Sequence, residues 1–188
     1  MAIHEIIEAP DARLKTISTP VEVFDDNLKA LVADMFETMY AASGIGLAAI
    51  QIGVPHRLVV IDLQPEDTEA EPEACDHDGH HHHHQPTKKE PRVFVNPEIL
   101  EPSADVKSYQ EGCLSVPDIY AEVDRPARCR VRWQDLDGAL HDEEMDGVMA
   151  VCIQHEMDHL NGVLFIDHLS RLKRQMALKK LDKLRKAA

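Results

Sequence analysis

The sequence predicts an α+β fold in which largely antiparallel sheets pack around a central helix, with an N-terminal helix and a C-terminal helix beside them. Two segments place apolar residues at helical spacing, a third segment that ends before Gly162 fits a further helix, and the segments between them contain apolar or alternating runs typical of strands. Helices and strands in this mixed order are typical of an α+β domain. A length of 188 residues suits one domain with its own core.

The N-terminal helix is predicted over residues 26–40. Its apolar side chains recur every three or four residues and form one stripe: Leu28, Leu31, Val32, Met35, Phe36 and Met39. Either Asp25 or Asp26 is suited to cap its N-terminus. The runs at 57–63 and 92–95 contain several β-branched residues and predict two short, largely buried strands.

The second half of the chain predicts a hairpin followed by two helices. Residues 127–133 alternate between apolar and arginine side chains, and Asp137-Gly138 then marks the turn into a further strand. A helix is expected over residues 146–161. A last helix begins after Ser170, with apolar residues at loosely helical spacing.

Composition divides the chain into a folded body, residues 1–169, and a basic C-terminal helix, residues 170–188. The C-terminal helix carries a net charge of +7 and the body −21. Within the body, residues 64–91 contain many acids, several prolines, no branched apolar residue and the run His80–His84. Such a segment buries too little apolar surface to offset the entropy cost of ordering it, so we expect a disordered surface insertion.

The compartment of the chain is predicted from two features of its sequence. No apolar run approaches the ~20 residues that a membrane helix needs, so we expect no membrane association. The first residues lack the basic and apolar regions of a secretion signal. The chain is therefore expected in the cytoplasm, where its four cysteines stay reduced. We expect these cysteines to serve in metal binding or catalysis rather than in disulfide bonds.

The strongest chemical signal is residues 154–159, Gln-His-Glu-Met-Asp-His, on the predicted helix 146–161. Residues four apart share a helix face, so His155 and His159 can bind one metal ion. Glu156 is placed to exchange a proton with a water at that ion. A pair of unrelated surface histidines is the alternative, and the sequence favours the metal-binding helix.

A catalytic metal needs a third protein ligand, and the four cysteines compete for this position. Cys152 lies on the same helix, roughly 10 Å along the axis from residue 159, too far for one ion. Cys129 falls on the apolar face of a predicted strand, and Cys75 lies in the acidic insertion. Cys113 remains, in an irregular segment after a strand, where a cation would stabilise its thiolate.

Residues 44–51, Gly-Ile-Gly-Leu-Ala-Ala-Ile-Gln, contain two closely spaced glycines that would let another backbone approach. The third glycine and the preceding strand of a dinucleotide-binding fingerprint are missing, so that class of site is excluded. Gln51 either donates a hydrogen bond from its side-chain amide or satisfies buried backbone groups. The residues alone favour the second role.

Three segments, GIGLAAIQ (44–51), EGCLS (111–115) and QHEMDHLNG (154–162), resemble in order and separation the three signature motifs of peptide deformylase. The resemblance extends over nearly the whole chain, including LFIDHLSRLKRQ, which is similar to bacterial members with a helical C-terminus. The chain departs from the family pattern at Ile50, where many members have proline or another small residue. It also departs at the acidic insertion, where members have a short turn.

The resemblance implies a hydrolase that removes the N-formyl group from the formyl-methionine of new polypeptides and releases formate. It implies one divalent metal per chain, usually Fe²⁺, with Ni²⁺, Co²⁺ or Zn²⁺ as substitutes, held by Cys113, His155 and His159. It also implies Glu156 as catalytic acid and base, Gln51 and the Leu114 N–H as donors to the formyl oxygen, Gly46 as a hydrogen-bonding partner of the substrate, and Ile45 and Gly112 as the frame of the peptide groove.

Three residues that precede His155 share its side of the helix, namely Val148, Val151 and Cys152. Together with Leu114 they either line an apolar slot for the methionine side chain or pack in the core. Helical spacing alone leaves these two interpretations equal.

Two further segments have open interpretations. The run His80–His84, near Cys75, either raises the local metal supply or is a tolerated insertion, and we favour the second. Residues 171–186 are either a solvated helix face or, by resemblance, a surface that docks on the ribosome.

Two other functions compete with the deformylase interpretation. A metalloprotease usually has a third His or a Glu as metal ligand, where this chain offers cysteine. A metal carrier would give Glu156 no role.

Overall fold

In a computed structural model, the described residues are 2–64 and 88–187. Their helices are α1 (Asp26–Ala41), α2 (Gly147–Leu160) and α3 (Arg171–Ala187), and their strands are β1 (Gly46–Ala48), β2 (Leu58–Ile61), β3 (Arg92–Pro102), β4 (Val106–Cys113), β5 (Val116–Pro126), β6 (Arg128–Gln134) and β7 (Leu140–Asp146). All strand pairs within the two sheets are antiparallel. The predicted α+β fold is confirmed.

The main sheet has the order β1-β2-β3-β6-β7 and separates two helices. Alternate residues of β2 face opposite sides, as the pleat of a strand requires. Val59 belongs to the core beneath α2, whereas Val60 belongs to the core beneath α1. Because β1 is an edge strand, its outer side has no strand partner among the described residues, although Gln51 Oε1 accepts a hydrogen bond from the N–H of Ala48 there.

The predicted helix ends agree with the structure to within one residue for α1 and α2. Asp25 caps α1, since its carboxylate accepts hydrogen bonds from the N–H groups of Asn27 and Leu28. The buried stripe of α1 contains Val32 and Met35, as expected. Helix α2 runs beneath the sheet and is buried along most of its length, which puts it at the centre of the fold.

The hairpin β4–β5 was not predicted as a pair of strands. Cys113 pairs with Val116 close to the turn, and the register is irregular between Glu111 and Cys113. The expectation of irregular backbone is therefore met at Cys113. It is wrong at Pro117, which lies inside β5.

Helix α3 packs on the hairpin rather than extending into solvent. Its side chains Ala177 and Leu181 share a core cluster with Ile119 and Val123 of β5. The division between residues 1–169 and 170–188 stays a prediction. Residues 65–87, which include His80–His84 and Cys75, lie outside the described residues, and so does most of the predicted insertion 64–91. None of the helices in the described ranges combines the length and apolarity needed to cross a membrane.

Candidate metal centre

A cleft of about 630 Å³ opens between the edge strand β1, the hairpin β4–β5 and helix α2. Eleven of the residues predicted from the sequence line it: Ile45, Gly46, Gln51, Gly112, Cys113, Leu114, Val148, Val151, Cys152, His155 and Glu156. His159 lies behind this wall and is buried. The three motifs, far apart in sequence, therefore meet at one place.

Cys113, His155 and His159 form a cluster that suits a divalent metal. One ligand atom from each lies within 4.8 Å of the others, and the Cys113 Sγ atom is 3.2 Å from His159 Nε2. Helix α2 presents the two histidines from successive turns, while the end of β4 brings in the cysteine. One thiolate and two imidazoles are ligands that zinc-like and ferrous ions accept, and they leave coordination positions open.

The two histidines reach the cluster with different environments. Burial and the positive charges around it hold the pKa of His159 well below its ordinary value, so this imidazole is neutral and has a free lone pair. His155 Nδ1 lies 2.7 Å from Glu111 Oε2, and Glu111 in turn binds Arg125 through both carboxylate oxygens. A metal-binding histidine is commonly oriented by such a carboxylate.

Arg125 joins two carboxylates in the wall behind the cluster. Its guanidinium contacts Glu111 at 2.5 and 2.9 Å and Asp158 at 2.9 Å. Burial alone would raise the pKa of Glu111, but the hydrogen bonds from His155 and Arg125 lower it to about 2. Glu111 is therefore ionised at neutral pH and can accept a hydrogen bond from the imidazole.

Glu156 lies on the cleft wall beside the cluster and is 4% exposed. Burial raises its pKa to about 7, so the carboxylate can both accept and return a proton near neutrality. Within the described part of the chain, its Oε2 atom has no hydrogen-bond partner. A Cβ atom on Gly46 would lie 2.5 Å from Glu156 Oε1, so glycine is the residue that fits there.

Gln51 combines the two roles left open by the sequence. Its side-chain oxygen accepts a hydrogen bond from the N–H of Ala48 at 2.8 Å, which satisfies buried backbone. Its Nε2 donates to Ser115 Oγ at 3.1 Å and lies 3.8 Å from Cys113 Sγ. The amide nitrogen thus faces the metal cluster on its Cys113 side.

The walls of the cleft are apolar on the α2 side. Val148 is 55% exposed and lines the cleft together with Val151 and Leu114, so core packing does not account for Val148. Cys152 is buried, with burial holding its thiol pKa well above the ordinary value, and therefore contributes a neutral surface. On the opposite rim, the ring of Tyr120 packs so close to Gly112 that a Cβ atom at that position would meet it at 2.6 Å.

Comparison with known proteins extends over almost the full length of the chain. The family model for polypeptide deformylase matches residues 3–175. A peptide deformylase of Novosphingobium aromaticivorans is 77% identical over 188 residues, which cover all of both chains. The chain belongs to the peptide deformylase family.

Solved structures of other peptide deformylases share this fold. The enzyme from Legionella pneumophila is 44% identical, with a TM-score of 0.83 over 99% of this chain and 97% of that one. The enzyme from Ehrlichia chaffeensis, solved in complex with actinonin, is 38% identical, with a TM-score of 0.82 over 97% of this chain and 98% of that one. As a peptide deformylase, the chain is a metal-dependent hydrolase that removes the N-formyl group from nascent polypeptides.

Glu111 and Arg125 are the parts of this deformylase site that sequence reasoning missed. Glu111 lies in the second motif and received no role, because an isolated acid in a sequence is usually solvated. A signal for Arg125 was nevertheless present in β5. Val123 is buried, and the period-two alternation of a strand turns residue 125 to the same face.

Proposed function

We propose that Cys113, His155 and His159 hold the catalytic metal of this deformylase, and that the metal is Fe²⁺. The observation that carries the proposal is the cluster of one sulfur and two nitrogen atoms on the wall of a cleft that also contains Glu156. A metalloprotease is disfavoured because the third donor is a cysteine rather than histidine or glutamate. A metal carrier is disfavoured because it would leave Glu156, with its raised pKa, without a role.

The reaction is hydrolysis of a formamide, and the bound metal supplies Lewis-acid polarisation of the carbonyl and activation of water. Glu156 accepts the proton of the attacking water and returns it to the leaving amine. The carboxylate suits both steps because its pKa is about 7. Burial around it excludes bulk water, which would otherwise compete for that proton.

Negative charge develops on the formyl oxygen as the carbonyl carbon becomes tetrahedral. Gln51 has two N–H bonds on its amide nitrogen: one donates to Ser115 Oγ at 3.1 Å, and the other makes a long contact with Cys113 Sγ at 3.8 Å that a bound substrate can replace. We assign the other to the formyl oxygen, together with the backbone N–H of Leu114. Donors held in place before the reaction stabilise the transition state more than the ground state.

The substrate peptide lies along the open edge of β1. Strand pairing of the peptide with Gly46 and Ile45 would hold its backbone, with Gly112 across the groove. Val148, Val151, Cys152 and Leu114 form the slot for the methionine side chain. The close approach of Gly46 to Glu156 leaves little room for the extra methyl of an acetyl group. We therefore expect formyl peptides to be hydrolysed and acetyl peptides to resist.

A direct assay tests the activity. Protein purified anaerobically with Fe²⁺ should release formate from formyl-Met-Ala-Ser and leave casein intact. The variant Glu156→Gln should keep its metal, measured by elemental analysis, and lose turnover. Casein cleavage without formate release would overturn the proposal in favour of a protease, and stoichiometric metal without turnover would favour a carrier.

The choice of Fe²⁺ over other ions has its own test. A ferrous thiolate near solvent is prone to oxidation at the sulfur. The iron-loaded enzyme should therefore lose activity in air, and the nickel-loaded enzyme should survive longer under the same conditions. Equal lifetimes would count against iron as the native ion.

We also propose that the enzyme acts in the cytoplasm and docks on the ribosome through the basic residues 171–186. The inner face of α3 is packed, so truncation would expose core side chains. Four exposed bases, Arg171, Lys173, Lys179 and Lys183, make no ion pair with any described residue. Changing all four to glutamine should weaken ribosome binding and its salt dependence, without changing hydrolysis of free peptides. Unchanged affinity would refute ribosome docking by this face.

A further inference from the structure

A second groove, of about 740 Å³, begins where the catalytic cleft ends. Its walls are the N-terminal segment 3–8, the last residues of α1, Ile52 and the side chain of Arg185 from α3. None of the residues assigned to catalysis lines it. The role of this groove therefore depends on what can reach it.

The groove and the cleft adjoin at the C-terminal end of α1. Ala42 lines both cavities, and the neighbouring residues Gln51 and Ile52 line the cleft and the groove respectively. The N–H of Ile7 donates to the backbone oxygen of Gln51 at 2.7 Å, which fixes the N-terminal segment beside this junction. A chain that leaves the cleft past Ala42 enters the groove directly.

The proposed reaction fixes one end of the substrate. The formyl end must lie at Glu156 and Gly46, and we take the peptide to run from there past Ile45 and Gly44, which precede β1, toward the shared residue Ala42. An extended chain advances about 3.3 Å per residue. Because residues 42 and 43 form a turn and do not continue the strand, about three residues of peptide span the distance from Gly46, and the residues that follow lie in the groove.

The charged side chains that line the groove determine which peptide residues it favours. Of its three carboxylates, Asp11 is paired with Arg13, and Glu8 lies 3.8 Å from Arg185. Glu5 is exposed and makes no ion pair with the residues that the structure describes. With Glu5, Glu8 and Asp11 against Arg13 and Arg185, the charged side chains that line the groove sum to a net charge of −1.

We propose that this groove binds the fourth to sixth residues of the formyl peptide and favours lysine or arginine there. The inference rests on the proposed function of the cleft. It extends the enzyme's specificity beyond the methionine slot, to a part of the nascent chain remote from the reacting bond.

The test compares three amidated peptides: formyl-Met-Ala-Ser, the same sequence extended by Lys-Lys-Lys, and the same sequence extended by Glu-Glu-Glu. Wild-type kcat/KM should be higher for the lysine peptide than for the glutamate peptide. Glu5→Lys should lower this ratio about two- to fivefold, the effect of one exposed charge pair, and leave the tripeptide unchanged. Added salt should reduce the wild-type ratio.

Glu22→Lys is the matched control, because it is exposed, changes the net charge equally and lies near the opposite end of α1. It should leave the ratio close to the wild-type value. Equal effects of the two variants would mean that the net charge of the whole protein attracts the peptide. This result would refute the proposed role of the groove. Equal rates for both hexapeptides would overturn it as well. Failure to hydrolyse even the tripeptide would instead refute the proposed function, and this inference with it.

Discussion

Glu111 Oε2 lies 2.7 Å from His155 Nδ1, and this contact determines which nitrogen of the imidazole is free. Because the pKa of Glu111 is lowered to about 2, its carboxylate can only accept a hydrogen bond. The hydrogen of a neutral His155 therefore resides on Nδ1, and the lone pair on Nε2 is available to a metal. The glutamate of the cysteine-containing motif thus orients a ligand that α2 supplies.

Replacing Glu111 should weaken both metal binding and stability. Glu111→Ala leaves His155 without its acceptor and Arg125 buried beside Asp158 alone. We expect metal affinity to fall about 10- to 100-fold, measured by competition with a chelator. The free energy of unfolding should fall by about 3–5 kcal/mol, measured with denaturant.

Two variants control this experiment. Glu111→Gln keeps an acceptor oxygen and should recover part of the metal affinity. Glu122→Gln removes an exposed acid from the same hairpin and should leave both quantities unchanged. Wild-type metal affinity in Glu111→Ala would show that the contact with His155 has no effect on the ligand.

Gln51→Leu should remove one donor to the formyl oxygen while retaining the metal. Loss of such a donor raises the barrier by about 2.7–4 kcal/mol, or about 10²- to 10³-fold in kcat. Elemental analysis and formate release on one preparation measure both properties. Ser115→Ala, which only frees the Gln51 amide, should have a smaller effect. Full turnover by Gln51→Leu would refute the assignment.

Gly46→Ala should disable Glu156 without disturbing the ligands. The new methyl would lie 2.5 Å from Glu156 Oε1 and 2.9 Å from Cys152 Sγ, so the carboxylate must move. We expect kcat/KM to fall about 10²-fold or more, the scale of general acid–base catalysis. Gly44→Ala is the comparison: its nearest contact is the flexible tip of Leu114 in the proposed methionine slot, so it should raise KM more than it lowers kcat.

Asp62 should make stability depend on pH. Burial alone would raise its pKa, but hydrogen bonds from Tyr40 and from the N–H groups of Glu90 and Gln64 lower it. Because the pKa is lower in the folded state, ionised Asp62 stabilises the protein at pH values above the ordinary pKa of aspartate. This stabilisation is lost as the pH falls through the folded-state pKa. Asp62→Asn should therefore cost about 2 kcal/mol at pH 7 and progressively less below pH 4.

Denaturant unfolding between pH 2.5 and 7 would measure this difference. Asp137→Asn, at an exposed turn, provides the comparison and should follow the wild-type curve. A constant gap between wild type and Asp62→Asn across that range would mean that the Asp62 charge does not contribute.

The sequence was most informative where periodicity is strong. Helix α1 has a regular apolar stripe, and β6 alternates Cys129, Val131 and Trp133 inward, as predicted. Strands β4 and β5 were missed because only one side of the hairpin is buried and the motif at its turn interrupts the alternation. Register between such strands depends on contacts that a single sequence does not reveal.

The same distinction applies to the site. Two histidines on one helix have a fixed spacing, so their proximity follows from local geometry. Cys113 was reached by eliminating the other cysteines, and the structure brings it beside the pair. Arg125 joins Glu111 on the hairpin to Asp158 on α2, and this connection depends on how the hairpin packs against the helix. Tertiary packing of this kind lies beyond sequence periodicity.

X-ray absorption at the edge of a single bound zinc ion tests the ligand set most directly. The sample should carry serine in place of His80–His84, so that the run cannot contribute ligands. The spectrum should contain one sulfur at about 2.3 Å and two imidazole nitrogens at about 2.0–2.1 Å, with the sulfur lost in Cys113→Ser. A coordination shell without sulfur in the sample that retains Cys113 would contradict the proposed metal centre.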